Sequence, residues 1–322
     1  MTADRPLLGI LLMTGFCIVA PMGDSIAKIL GDTIPLGQIV MVRFVVQVLI
    51  LLPVVLLSGR SLDMAPHLMG LALIRAALHV VGIGAMFLSL RYLPLADAVA
   101  IAFVMPFIML LLGRFVLDEE VGLRRLLACA VGFMGTLLVV QPSFAAVGPP
   151  ALLPLVVAVV FAFFMLVTRK LAKATDPVSL QVVSGLMASA LLIPLVLVAS
   201  RFDWPGLTPV VPSSRAVVLL LMLGALGTLA HLLMTWSLRF APSATLAPMQ
   251  YLEIPFATLI GWLVFRDFPN GLALVGIAVT MAAGLYIVAR ERAVSRQSVP
   301  QSPHPDTAAP LSPASPARRD AM

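Results

Sequence analysis

Long apolar runs follow one another along most of the chain, and they limit its possible folds more than any other feature. An α-helix needs about 20 apolar residues to cross the ~30 Å hydrocarbon core of a bilayer. Ten segments meet or nearly meet that length: Leu7–Ile29, Ile34–Leu57, His67–Leu90, Leu95–Leu117, Arg125–Val140, Ala151–Leu171, Val178–Ala199, Arg215–Leu238, Ala244–Phe265 and Leu272–Ala289. The composition agrees, because 61% of the residues are hydrophobic and only 11% are charged. The sequence therefore predicts an all-α membrane protein with ten transmembrane helices.

The second half of the chain repeats the first in looser form. Residues 89–96 match residues 237–244 in a shared Ser-x-Arg-x-x-Pro-x-Ala element, and Met105-Pro106-Phe107 matches Ile254-Pro255-Phe256 after a one-residue slip. A repeated helical unit predicts pseudo-symmetry, with a site where the two halves meet. We expect one repeat over residues 7–142, a second over residues 150–290, and a disordered cytoplasmic tail over residues 291–322.

The positive charges indicate an orientation in the membrane. Most of the 21 Lys and Arg residues lie at those ends of the apolar runs that share a side with the N-terminus, which predicts cytoplasmic N- and C-termini. Five helices per repeat is an odd number, so the second repeat is expected to cross the membrane in the opposite sense to the first. The net charge is +6, but the basic residues lie at the ends of the apolar runs and do not line one face. We therefore expect no nucleic-acid partner.

The sequence contains few features of an enzyme. It lacks H-E-x-x-H, G-x-S-x-G, a Gly-Lys-Ser/Thr phosphate loop and a pair of membrane aspartates resembling those of an aspartyl protease. Cys17 and Cys129 lie in apolar segments without partners at metal or redox spacing, so we predict no metal, cofactor or catalytic residue. A secondary carrier driven by a substrate gradient, a proton gradient or the membrane potential fits best. A channel and a polytopic membrane enzyme are the alternatives.

The repeat and several shorter motifs resemble a known family. Besides the element shared by residues 89–96 and 237–244, the first repeat contains Asp24-x-x-x-Lys28, followed by Pro35, Gln38 and Arg43-Phe44. These features are similar to EamA-type carriers of the drug/metabolite transporter superfamily, including its riboflavin and S-adenosylmethionine branches. The resemblance implies a carrier for a small vitamin-like or amino-acid-derived metabolite, in a bacterial-type inner membrane and as a monomer or homodimer. Export of amino acids or drug-like metabolites on the same fold is the alternative.

Ionisable residues within the predicted helices are the candidates for a functional site. A charge inside a bilayer costs several kcal/mol unless it is paired or hydrated. Asp24 and Arg43 lie at related depths on the first two helices, and Lys28 follows Asp24 by one turn. We expect Asp24 to pair with Arg43 and to share Lys28. These residues either brace the helices or contact the substrate or a proton.

A second predicted charge pair joins the two repeats. Arg75 on the third helix and Glu253 on the ninth lie roughly 12 and 13 Å from the same membrane face at 1.5 Å per residue. The full predicted substrate-binding or gating set is Arg43, Arg75, His79, Gln250, Tyr251 and Glu253. His231 lies at a similar depth and is a candidate proton relay, although a hydrogen-bonded contact between helices is the alternative for both histidines.

Overall fold

The computed structural model describes residues 5–105, 107–108, 111–112, 123–241 and 246–297. Throughout these ranges the regular structure is helical, and no strand is present. Seven of the described helices are long and apolar enough to cross a membrane, and the shorter apolar segments Met249–Phe265 and Gly271–Ala283 accompany them. The predicted all-α membrane architecture is therefore confirmed. Residues 113–122, at and after the end of the fourth predicted segment, and the tail beyond residue 297 lie outside the described residues.

Five α-helices are described in the first half of the chain. They are α1 (Pro6–Gly31), α2 (Leu36–Leu57), α3 (Pro66–Ser89), α4 (Leu95–Ala102) and α5 (Leu123–Val147). The fifth segment was expected to end at Val140, but α5 continues through Pro142 to Val147.

The second half contains another five described α-helices. A 3₁₀ turn (Pro149–Leu152) leads into α6 (Leu153–Ala174), α7 (Pro177–Phe202) and α8 (Ser214–Phe240); a 3₁₀ segment (Ala247–Leu252), α9 (Glu253–Ile260), a π turn (Gly261–Phe265) and α10 (Gly271–Gln297) complete it. Helix α10 runs past the expected boundary at residue 290, because Glu291, Arg292 and Ala293 favour helix. Residues 291–297 are therefore helical and do not belong to a disordered tail.

Two predicted helices are interrupted at equivalent places. Helix α4 ends at Ala102, four residues before Pro106, and Tyr251 belongs to a 3₁₀ segment four residues before Pro255. A proline has no N–H to donate and its ring crowds the carbonyl of the residue four positions earlier, so an α-helix does not pass through such a site unchanged. The prediction of a continuous helix from Ala244 to Phe265 is wrong for this reason.

Asp176 fixes the corner between α6 and α7. Its carboxylate accepts hydrogen bonds from the backbone amides of Val178 (3.0 Å) and Ser179 (3.1 Å), and Arg60 donates to it at 2.7 Å. Partial burial raises the pKa of Asp176, but the Ser179 amide and the adjacent Arg60 guanidinium outweigh burial and hold this pKa below its usual value. The α6–α7 corner of the second half is thus tied to the α2–α3 loop of the first.

The two halves pack against each other reciprocally. Helix α1 packs on α8 and α3 packs on α6, while α2 packs on α7, α4 on α9 and α5 on α10. The first helix of each half therefore contacts the third helix of the other, and the remaining helices contact their equivalents. This exchange of partners is the packing expected for two pseudo-symmetric repeats.

Candidate functional site

A cavity of about 820 Å³, including the volume at its mouth, lies between the two halves. Helices α1 to α4 line it from the first half, and α6, α8 and the α9 region line it from the second. Much of its wall is apolar and includes Phe16, Met86, Phe87, Phe103, Phe161 and Met165. A largely apolar cavity with a few polar groups is typical of a small-molecule site.

The cavity extends from the middle of the helix bundle towards one of its ends. Its lining comes from residues 16–24 of α1, 83–87 of α3, 157–165 of α6 and 223–234 of α8. These ranges include the middle of α1, α6 and α8 and the C-terminal part of α3, so the cavity reaches from the centre of the bundle towards the end where α1 and α3 finish and α6 and α8 begin. We call this the cavity end and the other the closed end.

Three buried polar side chains on the cavity wall have an unused hydrogen-bonding atom. Arg43 is 2% exposed and Gln250 is 1% exposed. Within the described part of the chain, Arg43 Nη1, Gln250 Oε1 and His231 Nδ1 have no hydrogen-bond partner. Gln250 is held in place because its Nε2 contacts Met165 Sδ at 3.0 Å. Buried polar atoms are nearly always paired, so three open ones around one cavity indicate a polar ligand.

Two carboxylates also line this cavity. Among the described residues, neither Asp24 nor Glu253 accepts a side-chain hydrogen bond or forms an ion pair within 4 Å. Asp24, Glu253 and Arg43 nevertheless line the same cavity, so the three groups share one environment. The expected Asp24–Arg43 salt bridge is therefore absent from this part of the structure.

The position of Arg43 explains why that salt bridge does not form. Its guanidinium lies against Gly227 of α8, where a Cβ atom would come within 2.7 Å of Arg43 Nε. It also lies 5.0 Å from the centroid of the Phe44 ring. Because Gly227 has no side chain, the Arg43 guanidinium packs against α8 and away from a direct contact with α1.

The predicted Asp24–Lys28 pair is wrong, because Lys28 has partners elsewhere. Its Nζ lies 3.2 Å from Asp267 Oδ2, donates to the Leu93 carbonyl at 3.0 Å, and lies 4.9 Å from the Phe265 ring centroid. A lysine near a helix end extends its ammonium towards the polar boundary of the membrane. Lys28 therefore links α1 to the segment after α9 and not to Asp24.

The Lys28–Asp267 contact should be measurable by a double-mutant cycle. Lys28→Met and Asp267→Asn are each expected to lower the free energy of unfolding, and the double variant should lose less than the sum. The side chains are 19% and 41% exposed, so the coupling should be about 0.2–1 kcal/mol. Unfolding of all four proteins in detergent measures it, and strictly additive losses would contradict the contact.

Arg75 does not pair with Glu253, so that predicted pair is also wrong. Its side chain is completely buried, and it donates to Thr168 Oγ1 (2.9 Å), Ser184 Oγ (2.7 Å) and Gln181 Oε1 (3.0 Å). Thr235 Oγ1 lies at 3.5 Å, and the guanidinium carbon lies 4.7 Å from the centroid of the Phe164 ring. Neutral acceptors on α6, α7 and α8 surround the guanidinium at the closed end, which directs it away from the cavity.

His79 and His231 form a direct contact between α3 and α8. Their Nε2 atoms are 3.2 Å apart, so one ring donates and the other accepts. Phe44 and Phe164 pack on His79 with ring centroids 4.9 and 4.7 Å away. His79 does not line the cavity, whereas His231 does. The geometry fits the alternative of a contact between helices; proton relay by His231 stays a prediction.

Tyr251 joins the two interrupted segments behind the cavity wall. Its ring centroid lies 5.3 Å from that of Phe103 and 6.4 Å from that of Phe107. Phe103 directly follows α4, and Tyr251 lies two residues before the start of α9. Tyr251 is 2% exposed and is not part of the cavity lining, so it supports the site without facing it.

Comparison with known proteins shows what kind of protein has this cavity. Residues 7–141 and residues 149–290 each match the EamA-like transporter family. The chain belongs to this family. It is similar to a riboflavin transporter of Brucella anthropi, at 27% identity over 254 residues that cover 79% of this chain and 88% of the relative.

Two other relatives of this chain are named for different molecules. An S-adenosylmethionine uptake transporter of Rickettsia prowazekii is 23% identical over 275 residues, or 85% of this chain and 90% of the relative. A pseudopaline exporter of Pseudomonas aeruginosa is 25% identical over 298 residues, or 92% and 99% of the two chains. The predictions of an EamA-type protein, and of a transporter and not an enzyme, are confirmed.

Some site residues of this EamA-family chain could not be identified from its sequence. Gly227 borders the cavity and Met165 holds Gln250, but isolated glycine and methionine residues are common in membrane helices. The His79–His231 contact joins residues far apart in the sequence. The similar depths of the two histidines were the only signal for it.

Proposed function

We propose that this EamA-family chain is a secondary carrier that moves a small organic metabolite across a bacterial inner membrane by alternating access. The main support is the position of the cavity, which lies between the two halves and reaches towards one end of the bundle, while Arg75 and its hydrogen bonds lie on the opposite side of it. A carrier that binds its substrate between two repeats and exposes it to one side at a time requires this asymmetry.

Contacts between the halves at the closed end support the same mechanism. Arg60 donates to Asp176 at 2.7 Å, and Ser237 Oγ donates to the Gly9 carbonyl at 2.7 Å. The Arg5 amide donates to the Phe240 carbonyl at 2.8 Å. These contacts and the Arg75 hydrogen bonds must break when the closed end opens. Each of these polar contacts contributes only a modest free energy, so breaking them one after another costs only a few kcal/mol at a time.

The proposed repeats are inverted, with both termini in the cytoplasm. Reciprocal helix packing and the odd number of helices per repeat support this arrangement. In a variant without its native cysteines, Ala146→Cys and Ser298→Cys should react with a membrane-impermeant thiol reagent from opposite sides of the membrane. Labelling of both positions from one side would contradict the inverted topology.

The transport test uses purified protein in liposomes with riboflavin and S-adenosylmethionine, the molecules named for two relatives. A carrier should give saturable uptake and counterflow of one of them. Gly227→Leu should lower the initial rate at least about tenfold, because the side chain enters the cavity beside Arg43. Linear flux without counterflow would indicate a channel and contradict the proposal.

A matched variant separates blockage from misfolding. Gly70→Leu adds the same side chain to α3 where no atom lies within 4 Å of the added Cβ, so its transport should remain normal. The similarity to an exporter makes outward transport the second candidate direction. Inside-out and right-side-out vesicles distinguish it from uptake.

A further inference from the structure

A second cavity lies between the two halves at the closed end. Its volume is about 940 Å³, including the space at its mouth. The α2–α3 loop and the start of α3 form one side of its wall, and the corner between α6 and α7 forms the other. We call it the closed-end cavity. Because the first half supplies one side and the second half the other, any motion that parts the halves at this end widens it.

One face of α3 connects the closed-end cavity to the main cavity. Leu68 lines the closed-end cavity and Ile83 lines the main one. Between them, at steps of three or four residues, lie Ala72, Arg75 and His79, none of which is exposed. Steps of this size place side chains on one face of an α-helix. At about 1.5 Å per residue, the stretch from Ala72 to His79 is roughly 10 Å long, so only a thin layer separates the cavities.

Helices α6 and α7 complete this layer. Directly after α6, Thr175 lines the closed-end cavity, and Phe161 earlier in α6 lines the main cavity. Between these two residues, Thr168 accepts a hydrogen bond from Arg75 Nε at 2.9 Å. Ser184 of α7 accepts another from Arg75 Nη1 at 2.7 Å. The contact of α3 with α6 and α7, which we call the α3 seam, is therefore filled by the Arg75 side chain between the two cavities.

Two polar atoms of α7 at the α3 seam have no hydrogen-bond partner among the described residues. They are Ser179 Oγ and Gln181 Nε2, in residues that are 5% and 0% exposed. Ser179 lines the closed-end cavity, and Gln181 Oε1 accepts a hydrogen bond from Arg75 Nη2 at 3.0 Å. Buried polar atoms nearly always have a partner. Water or a polar solute in an opened seam would supply the partners that the closed seam lacks.

Pseudo-symmetry relates the α3 seam to the wall of the main cavity. Extending the match of the shared Ser-x-Arg-x-x-Pro-x-Ala elements back along α3 and α8 pairs Arg75 with Leu223 and His79 with Gly227. Leu223 and Gly227 both line the main cavity. Helix α8 packs on α1 and α2 as α3 packs on α6 and α7. The same part of the fold thus borders the cavity beside α8 and is filled by Arg75 beside α3, which is the relation expected of two alternating passages.

We infer that the substrate crosses the closed end along the α3 seam, with the closed-end cavity as the mouth of this passage and Arg75 as its gating residue. When the seam opens, the Arg75 guanidinium gives up Thr168 and Ser184 and can donate to an acceptor group on the passing solute. The inference rests on the proposed carrier function and adds the route to it.

The contact between α1 and α8 is the competing route at this end. Met13 on α1 and Leu238 on α8 are 0% exposed there, and a Cβ atom at Gly9 would lie 2.6 Å from Ala241 Cβ. Small and apolar side chains let helices pack closely and offer a polar solute few hydrogen bonds. The α3 seam therefore fits a polar passage better than this contact does.

Single cysteines distinguish the two routes in a variant whose native Cys17 and Cys129 are replaced by serine. Ala72→Cys and Ser184→Cys lie in the α3 seam, and Met13→Cys lies in the α1–α8 contact. All three positions are six or seven residues from the end of their helix at the closed end, or roughly 10 Å. The probe is 2-(trimethylammonio)ethyl methanethiosulfonate, a permanently charged thiol reagent, added to one side of liposomes at a time.

From the closed-end side, the reagent should modify positions 72 and 184 at least about tenfold faster than position 13, because a thiol reacts only where the reagent reaches it. Adding Arg75→Gln should raise the rate at position 72 further and leave position 13 slow, since the closed form then loses hydrogen bonds that hold this seam. Positions 72 and 184 give two independent readings, so the test survives if one variant fails to fold.

Faster modification at position 13 than at positions 72 and 184, or no modification of the latter two from the closed-end side, would overturn the route. An unchanged rate at position 72 in Arg75→Gln would remove Arg75 from the gate. Saturable counterflow of riboflavin or S-adenosylmethionine in the same liposomes tests the carrier function separately. Counterflow together with a negative result at the seam would leave that function standing, whereas absence of counterflow for both probes would count against the function itself.

Discussion

Replacing Arg75 with alanine should destabilise the protein by about 3–5 kcal/mol and abolish transport. The substitution removes three hydrogen bonds of 2.7–3.0 Å and leaves Thr168, Ser184 and Gln181 buried around an empty space. Because these acceptors lie on α6 and α7 while Arg75 lies on α3, the loss separates the two halves at the closed end. Chemical unfolding in detergent measures the stability, and counterflow in liposomes measures the transport.

Two further variants separate the causes of that loss. Arg75→Met keeps most of the side-chain volume but no donor, so it should still lose most of the stability if hydrogen bonding dominates. Arg75→Lys keeps the charge but cannot reach all three acceptors from one ammonium, and it should recover only part of the loss. Wild-type stability and transport in Arg75→Ala would show that these hydrogen bonds do not hold the closed end together.

Gly276→Ala should destabilise the packing of α10 on α5, although it adds only one methyl group. A Cβ atom at position 276 would lie 2.5 Å from the Gly135 carbonyl oxygen and 2.8 Å from Val139 Cγ2. The carbonyl belongs to the backbone and cannot turn aside, so the helices must move apart, at about 1–3 kcal/mol. Thermal unfolding in detergent should show a lower midpoint.

A glycine with free space around it provides the control. In Gly84→Ala on α3 the added Cβ meets no atom within 4 Å, so the protein should gain up to about 1 kcal/mol from the better helix propensity of alanine. The two identical substitutions should therefore have opposite signs. An increase in stability for Gly276→Ala would show that the α5–α10 contact is looser than 2.5 Å implies.

Most of the helix boundaries predicted from the sequence lie within a few residues of the observed ones. The third segment was expected at His67–Leu90 and is observed at Pro66–Ser89, while the second was expected at Ile34–Leu57 and is observed at Leu36–Leu57. Such boundaries depend on local properties, since the bilayer sets the length of an apolar run and prolines stop helices. The motifs shared by the two halves also identified the family correctly.

Tertiary structure alone decided which polar groups meet. Position along a helix gives the depth of a residue, and depth predicted the pairs Asp24–Arg43 and Arg75–Glu253. The structure instead places Asp24, Arg43 and Glu253 around one cavity and Arg75 outside its lining. Depth assigned the wrong partners to Lys28 and Arg75, whose contacts lie on Asp267 and on neutral side chains of three other helices. The direction in which a side chain points depends on the rotation of its helix and on its neighbours, and packing between the halves fixes both.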